Sequence, residues 1–229
     1  MIDVPFFMAR VLTDLDDAIT YLNTLYEIDS TDPASSDEDY LVWTALFNIA
    51  VDMWENEEGM LWKELFVELA NAATGDKTTD GTTSYALPID FRFNASAYVW
   101  IGSGTNKTAY RVVPIEKIGV YENDKSNWCW FTDTTLEFNP NLSLDTGSTI
   151  SYNYYKYASK VTSGTDTFEM SDPMFVVYYA LSELKKEEGD TTAAAIASQK
   201  LESMKVKNEL PAWFGDNQMD IKDDDGFGI

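Results

Sequence analysis

Histidine is absent from the 229 residues, and cysteine occurs once, at Cys129. The lack of histidine removes the most common metal ligand, the usual general base near neutral pH and the usual serine or cysteine triads. One cysteine allows no disulfide within the chain and, without histidine, no structural zinc site of the ordinary type. We therefore expect a non-enzymatic protein with no catalytic, cofactor-binding or metal-binding residues.

Basic residues are also scarce, with 16 against 39 acids and a formal net charge of -23. Such an excess resists binding to nucleic acid and to anionic membranes, and a protein that grips DNA needs a basic surface. An acidic wall would still suit a protein that surrounds DNA without holding it. No apolar run reaches the roughly 20 residues of a membrane span, and Met1–Arg10 does not resemble a signal peptide.

Helical periodicity marks both ends of the chain. Apolar residues recur at three- and four-residue steps from Pro5 to Tyr26, with a capped start near Asp14, and again from Tyr40 to Ala73. Within the second stretch Leu46, Ile49, Ala50, Met53 and Trp54 form one stripe, and Leu61, Leu65, Phe66, Leu69 and Ala72 form another. The polar segment Glu55–Gly59 between them predicts either a kink or a short break between two helices. Helices return after Ser171-Asp-Pro173 and, beyond Gly189, continue to about Asn208.

Between these helices the period changes to the alternation typical of strands. Short apolar and aromatic runs separated by turn sequences predict an antiparallel sheet or small barrel. The predicted class is α+β: a helical bundle with an inserted antiparallel β-sheet or small β-barrel region and an extended arm. The predicted segments are 1–84 (amino-terminal helices), 85–160 (β-rich insertion), 161–209 (carboxy-terminal helices) and 210–229 (extended acidic arm).

Carboxylates are the only plentiful acid-base groups. A carboxylate pair can hydrolyse glycosides, but the clusters at 14–17, 37–39 and 223–225 are better explained as helix caps and a solvated tail. Asp223-Asp-Asp-Gly226 suggests a calcium loop, yet position 221 is isoleucine and the chain as given stops before the closing glutamate.

Aromatic residues crowd two of the predicted strands, at Trp128 and Trp130 and at Tyr154 and Tyr155. Aromatic stripes can bind sugars or stack on bases, but they more often pack a sheet face or form an interface. We interpret these four residues as core plus candidate interface aromatics. Base stacking is the least favoured reading, because the surrounding charge is not basic.

Several short motifs occur in a familiar order. Leu87-Pro-Ile-Asp-Phe91 resembles the Leu-Pro-x-Asp-Phe sequence that begins the β region of head-to-tail adaptor (connector, head-completion) proteins of tailed bacteriophages. Four further motifs are similar to sequences of that family and follow in the same order: Leu136-Glu-Phe-Asn-Pro140, Gly147-Ser-Thr-Ile-Ser-Tyr-Asn-Tyr-Tyr-Lys156, Ser171-Asp-Pro-Met-Phe175 and Lys200-Leu-Glu-Ser-Met204. The resemblance spans roughly residues 87–207, and the acidic loop 27–39 and the extreme acidity depart from it.

The resemblance implies a virion structural protein, made in the host cytoplasm and located at the head-tail interface. It implies a homo-oligomeric ring, with a dodecamer expected, that joins the portal protein to tail or tail-completion proteins. DNA would pass through without sequence-specific binding, and no membrane is involved. It also implies a portal-binding arm, for which Trp213, Phe214, Phe227 and Ile229 are candidate anchors. The alternative function is an aromatic β-module that binds glycan or another ligand at a tail or cell surface.

Overall fold

The computed structural model describes residues 12–26, 31–121 and 123–208 of the chain. These ranges form the predicted α+β arrangement, with helices at both ends and strands between them. The helices are α1 (Leu15–Tyr26), α2 (Glu38–Glu55), α3 (Ile118–Tyr121), α4 (Met174–Leu184) and α5 (Thr192–Asn208). The strands are β1 (Phe66–Glu68), β2 (Ser84–Ala86), β3 (Phe91–Asn94), β4 (Tyr98–Ser103), β5 (Asn106–Val112), β6 (Trp128–Phe131), β7 (Thr135–Phe138), β8 (Ile150–Ser151) and β9 (Asn153–Lys156).

The chain divides into two compact units, which we call the helical unit and the β unit. The helical unit runs to Met60 and resumes at Ser159, while the β unit is Leu61–Ala158. The β unit therefore starts earlier than the predicted insertion at 85–160. The predicted arm, 210–229, lies outside the described residues.

The helical stretch predicted for Tyr40–Ala73, with a kink or a short break at Glu55–Gly59, is wrong in the half that follows Gly59. Helix α2 ends at Glu55, and Gly59 follows with a left-handed φ of 74°, a conformation that stops a helix. Lys63–Leu65 and Leu69–Asn71 are single 3-10 turns, and β1 between them pairs antiparallel with β9. Pairing with a distant strand outweighs the local helical period, because propensity is only a weak preference that tertiary contacts override.

Helix α1 begins where its caps predict. The Asp14 side chain accepts a hydrogen bond from the backbone N–H of Asp17 at 3.0 Å, which satisfies one of the unpaired donors of the first turn. Two more of these donors, the N–H groups of Leu15 and Asp16, reach the carbonyl oxygens of Asp166 (2.9 Å) and Gly164 (3.0 Å). The loop before α4 thus holds the start of α1.

Helix α4 is the centre of the helical unit and packs against α1, α2 and α5. Its apolar residues are buried on most of its circumference, as expected for a helix that is surrounded by others. The buried residues of α4 are Phe175, Val176, Val177, Ala180 and Leu181. The edge of Phe168 also meets the ring of Phe47 from α2, with the ring centroids 6.1 Å apart.

The β unit contains two sheets that share one buried core. The six-stranded sheet has the order β2-β7-β6-β5-β4-β8, and the three-stranded sheet has the order β1-β9-β3. Phe138 lies at the centre of the core, edge-on to Tyr85 (5.7 Å) and Tyr110 (5.0 Å). Most pairs are antiparallel as predicted, but β5 and β6 run parallel, because residues 113–127 cross over between them.

Asn139 fixes the end of this crossover. It is completely buried, and its amide nitrogen donates to the carbonyl oxygens of Asp124 (2.8 Å) and Ser126 (3.0 Å). Its side-chain oxygen accepts from the backbone N–H of Asn141 at 3.0 Å. One buried amide therefore joins the crossover to the turn after β7.

Candidate interaction surfaces

The outward side of α2 is apolar although it faces solvent. Twelve of its 18 residues are apolar, and only part of them pack inside, at Tyr40, Trp43, Phe47, Ala50, Val51 and Trp54. The exposed side carries Leu41 (58% exposed), Val42 (44%), Ile49 (46%) and Met53 (46%); we call these four residues the α2 outer face. A helix that is apolar all round is normally buried all round, so this face has the character of an interface.

The predicted stripe on α2 therefore divides between two faces. Ala50 and Trp54 are buried, whereas Ile49 and Met53 are exposed. The acids of α2 lie at the two ends of its outer face: Glu38 and Asp39 are exposed in the first turn, and Asp52 forms an ion pair with Lys160. Helix α2 contains no basic residue. The face is thus apolar in the middle and acidic at its ends.

A second exposed surface lies on the six-stranded sheet. On β4, Val99 and Ile101 point into the core while Tyr98 (44% exposed) and Trp100 (41% exposed) point outward, as the alternation of a strand requires. The register places Tyr98 opposite Arg111 and Gly102 opposite Lys107, both cations being exposed on β5. The rings of Tyr98 and Trp100 are 6.2 Å apart.

Trp128 and Trp130, two of the predicted interface aromatics, lie on this same side of the sheet. Register pairs Trp128 with Arg111, and the two indole rings are 5.3 Å apart. Trp128 is only 2% exposed, because Tyr121 covers it at 5.9 Å and its indole N–H donates to the Asp124 carbonyl at 3.4 Å. Trp130 is half-buried. We call Tyr98, Trp100, Lys107, Arg111 and Trp130 the sheet outer face.

The other two predicted aromatics point to opposite sides of β9. Tyr154 is completely buried, and its hydroxyl donates to Asp90 at 3.1 Å; burial, with the Asp90 charge second, raises the pKa of Tyr154. Tyr155 lies outside the core between Phe66 (5.5 Å) and Phe93 (5.2 Å). Its half-buried ring is open to a partner, and the interface role of all four aromatics stays a prediction.

Cys129 lies in a chemically inert setting. It is completely buried in the β unit core, and burial raises the pKa of its thiol to about 12. A thiol that does not ionise is a poor nucleophile and metal ligand. Across the described ranges, no group of three or more Cys, Asp or Glu side chains comes together in a way that could hold a metal ion.

The family model for the SU10 adaptor protein matches residues 7–219, which is most of the chain. The chain belongs to this adaptor family. The match is consistent with the phage head-to-tail adaptors that the sequence motifs resemble. Adaptors of phages are structural, non-enzymatic virion proteins that associate with portal and tail proteins. No curated protein matches the chain.

The charge of this adaptor is distributed unevenly. The sequence of the helical unit holds 28 acids and 8 bases, a balance of -20, while the β unit holds 11 acids and 8 bases, a balance of -3. The helical unit therefore carries nearly all of the excess charge. Several of its lysines are also engaged within the chain: Lys200 with Asp172 at 2.9 Å, and Lys205 with both Glu57 and Glu202.

Several sequence-predicted residues lie outside the described part of the chain, and the structure shows surface residues that the sequence did not predict. The candidate anchors Trp213, Phe214, Phe227 and Ile229 lie outside the described residues, as does Asp223-Asp-Asp-Gly226. The sequence reasoning missed Tyr98 with Trp100 and Lys107 with Arg111 as surface residues. The available signal was the even spacing along a strand, which places side chains on the same face of a sheet: Tyr98 and Trp100 are two residues apart on β4, and Lys107 and Arg111 are four residues apart on β5. Among the described helices, none is long and apolar enough to cross a membrane.

Proposed function

We propose that this adaptor forms a ring that joins the portal to the tail and continues the DNA channel. Membership of the adaptor family carries the proposal. The α2 outer face supports it, because an apolar helix surface on a highly charged protein gains stability when another subunit covers it. We expect twelve subunits, and we expect the protein to act through its interfaces without catalysis.

The acidity fits a channel through which DNA slides. With -23 per chain, a ring presents a dense negative field, and phosphates are repelled from any wall that carries it. Most of that charge belongs to the helical unit. We propose that part of this acidic surface faces the channel and keeps the genome from adhering.

The ends of the ring would contact different partners. The arm residues Trp213, Phe214, Phe227 and Ile229 are proposed anchors on the portal, because buried aromatic side chains such as tryptophan commonly supply much of the binding energy of an interface. The exposed edge of the aromatic row formed by Phe66, Tyr155 and Phe93 is the proposed contact for a tail component.

Assembly on the portal tests the function. The purified chain is mixed with portal rings, and the complexes are examined by electron microscopy and by light scattering after size exclusion. We expect a closed ring of this chain, alone or seated on the portal. A chain that stays monomeric at all concentrations and ignores the portal contradicts the proposal.

Glycan binding is the second candidate function. One observation favours it: a pocket beside the exposed Trp100 is lined by Ser96, Ser151 and Asn153, and an aromatic ring with polar neighbours suits a sugar. A glycan array with the Trp100→Ala variant as control tests this candidate. Binding that the variant abolishes would support it, and no binding by either protein would exclude it.

A further inference from the structure

We propose that the seam, by which we mean the contact between neighbouring subunits of the ring, joins two different surfaces: the sheet outer face of one copy docks on the α2 outer face of the next. This inference rests on the proposed ring and names the two surfaces that build it. Both surfaces expose apolar side chains, and they differ in the sign of their charge. The α2 outer face ends in acids, whereas the sheet outer face carries two cations.

Few cations of the helical unit are free to meet the acids of α2. Four of its six described lysines already form ion pairs within the chain, with partners Asp52, Glu183, Asp172 and Glu57. Glu38 and Asp39, by contrast, are exposed, and α2 has no basic residue of its own. A surface that covers α2 therefore has to bring cations from elsewhere.

The sheet outer face offers such cations. Lys107 and Arg111 are exposed, and within the described ranges neither forms an ion pair with a carboxylate. Two acids border this face: Glu68 lines the pocket next to Trp100 and Lys107, and Glu137 lies opposite Trp130. Glu137 accepts hydrogen bonds from Ser84 and Thr135 at 2.6 Å each, so it is occupied within its own sheet.

The two faces also match in extent and in chemistry. Leu41 to Met53 spans roughly 18 Å along the helix axis, and Lys107 to Arg111 spans roughly 14 Å along β5. The exposed rings of Tyr98 and Trp100, with the half-buried Trp130 beside them, would cover the aliphatic side chains of α2, which is the composition of a typical interface centre.

A symmetric contact between two α2 helices is less favourable. Such a pair would bring Glu38 and Asp39 of one copy towards the Asp52 end of the other, where the cation Lys160 is already engaged with Asp52, and like charges repel. A symmetric contact would also stop at a dimer, whereas a heterologous contact repeats around a ring. Both arguments favour the sheet outer face as the occupant.

Two complementary variants test the seam. The first, Ile49→Asp with Met53→Asp, blocks the α2 outer face; the second, Lys107→Glu with Arg111→Glu, blocks the sheet outer face. Matched controls are Val206→Asp, an exposed apolar residue of α5 (66% exposed), and Lys117→Glu with Lys125→Glu, two exposed cations of the β unit. Circular dichroism confirms that each variant is folded.

Light scattering gives the result. We expect each blocked variant alone to stay monomeric at ~100-fold higher concentration than the unmodified chain needs to assemble, while both controls assemble normally. An equimolar mixture of the two blocked variants should form a 1:1 heterodimer, because each retains the face that the other lacks. No heterodimer, or normal assembly of either blocked variant, overturns the seam but leaves the proposed ring standing. An unmodified chain that never assembles, alone or on the portal, refutes both.

A second measurement needs no variant. Rings assembled from a mixture of nitrogen-14 and nitrogen-15 chains are treated with a zero-length reagent that couples lysines to carboxylates. We expect links between chains that join Lys107 to Glu38 or Asp39. Inter-chain links confined to the helical unit overturn the proposal. So does binding of a single-stranded DNA oligomer that is lost in the sheet-blocked variant while assembly persists, because the sheet outer face would then serve nucleic acid.

Discussion

Replacing Asn139 tests how the β unit holds its parallel crossover. The Asn139 side chain makes three hydrogen bonds, two donated at 2.8 and 3.0 Å and one accepted at 3.0 Å, and it is completely buried. Each bond contributes about 0.5–1.5 kcal/mol net, so Asn139→Ala should lower the free energy of unfolding by about 2–4 kcal/mol. It also strands the carbonyl groups of Asp124 and Ser126.

Asn139→Asp separates hydrogen bonding from shape. The new carboxylate has nearly the volume of the amide, but it turns oxygen atoms towards two carbonyl oxygens and buries an unpaired charge. We expect it to cost more than the alanine at pH 7. Burial should raise the pKa of the introduced carboxyl, so the variant should regain stability as the pH falls and the carboxyl becomes able to donate.

Urea unfolding followed by circular dichroism measures both variants. With a slope of about 2 kcal/mol per molar urea, the alanine variant should lose about 1–2 M in its midpoint. Asn127→Ala and Asn127→Asp are matched controls, because Asn127 is an exposed amide of the same crossover, and they should change stability by less than about 0.5 kcal/mol. A midpoint for Asn139→Ala equal to that of its control would refute the reasoning.

Three further predictions concern other parts of the chain. Gly102 has φ +122°, and a Cβ there would lie 2.1 Å from the Asn106 carbonyl oxygen. In urea unfolding, Gly102→Ala should therefore lower the free energy of unfolding by about 1–3 kcal/mol. The control Gly119→Ala should not lower it, because a Cβ at Gly119 would have open space around it. Backbone N–H groups of Thr162 and Ser163 lower the pKa of Asp166 below its ordinary 3.8, so the contribution of Asp166 to stability is present above about pH 4 and is lost as the pH falls further. The Asp166→Asn variant should therefore lose less stability than the unmodified chain as the pH falls through that window. An unchanged midpoint of acid unfolding would contradict this. Trp100→Ala should leave the melting temperature of the monomer nearly unchanged, because the ring is 41% exposed, while weakening assembly measured by light scattering; a melting temperature several degrees lower would show that the ring belongs to the core.

Much of the fold was predictable because its elements carry strong local signals. Gly189 stops the segment after α4 with a left-handed φ of 73°, and the alternation on β4 buries Val99 and Ile101. Such signals act within a few residues, so composition and spacing reveal them.

The sequence-based predictions failed where contacts between residues far apart in the chain determine the structure. Leu61–Ala72 has a helical spacing of apolar residues, but its middle three residues pair with β9, which no local pattern shows. The buried face of α2 was ambiguous because the helix is apolar on both sides. The role of Asn139 depends on carbonyl groups that lie 13 and 15 positions away. Sequence therefore identified the elements that have local signals, whereas long-range pairing and packing decided the identity of β1 and the faces that remain available to partners.

The burial of Cys129 has a practical consequence for observing the protein in motion. A thiol with no exposed surface can be alkylated only when the β unit opens, so the slow labelling rate reports the free energy of that opening. Since Cys129 is the only cysteine, the unmodified chain contains its own single-site probe. Comparing the labelling rate in free chains and in assembled rings would reveal whether assembly raises the free energy of opening of the β unit.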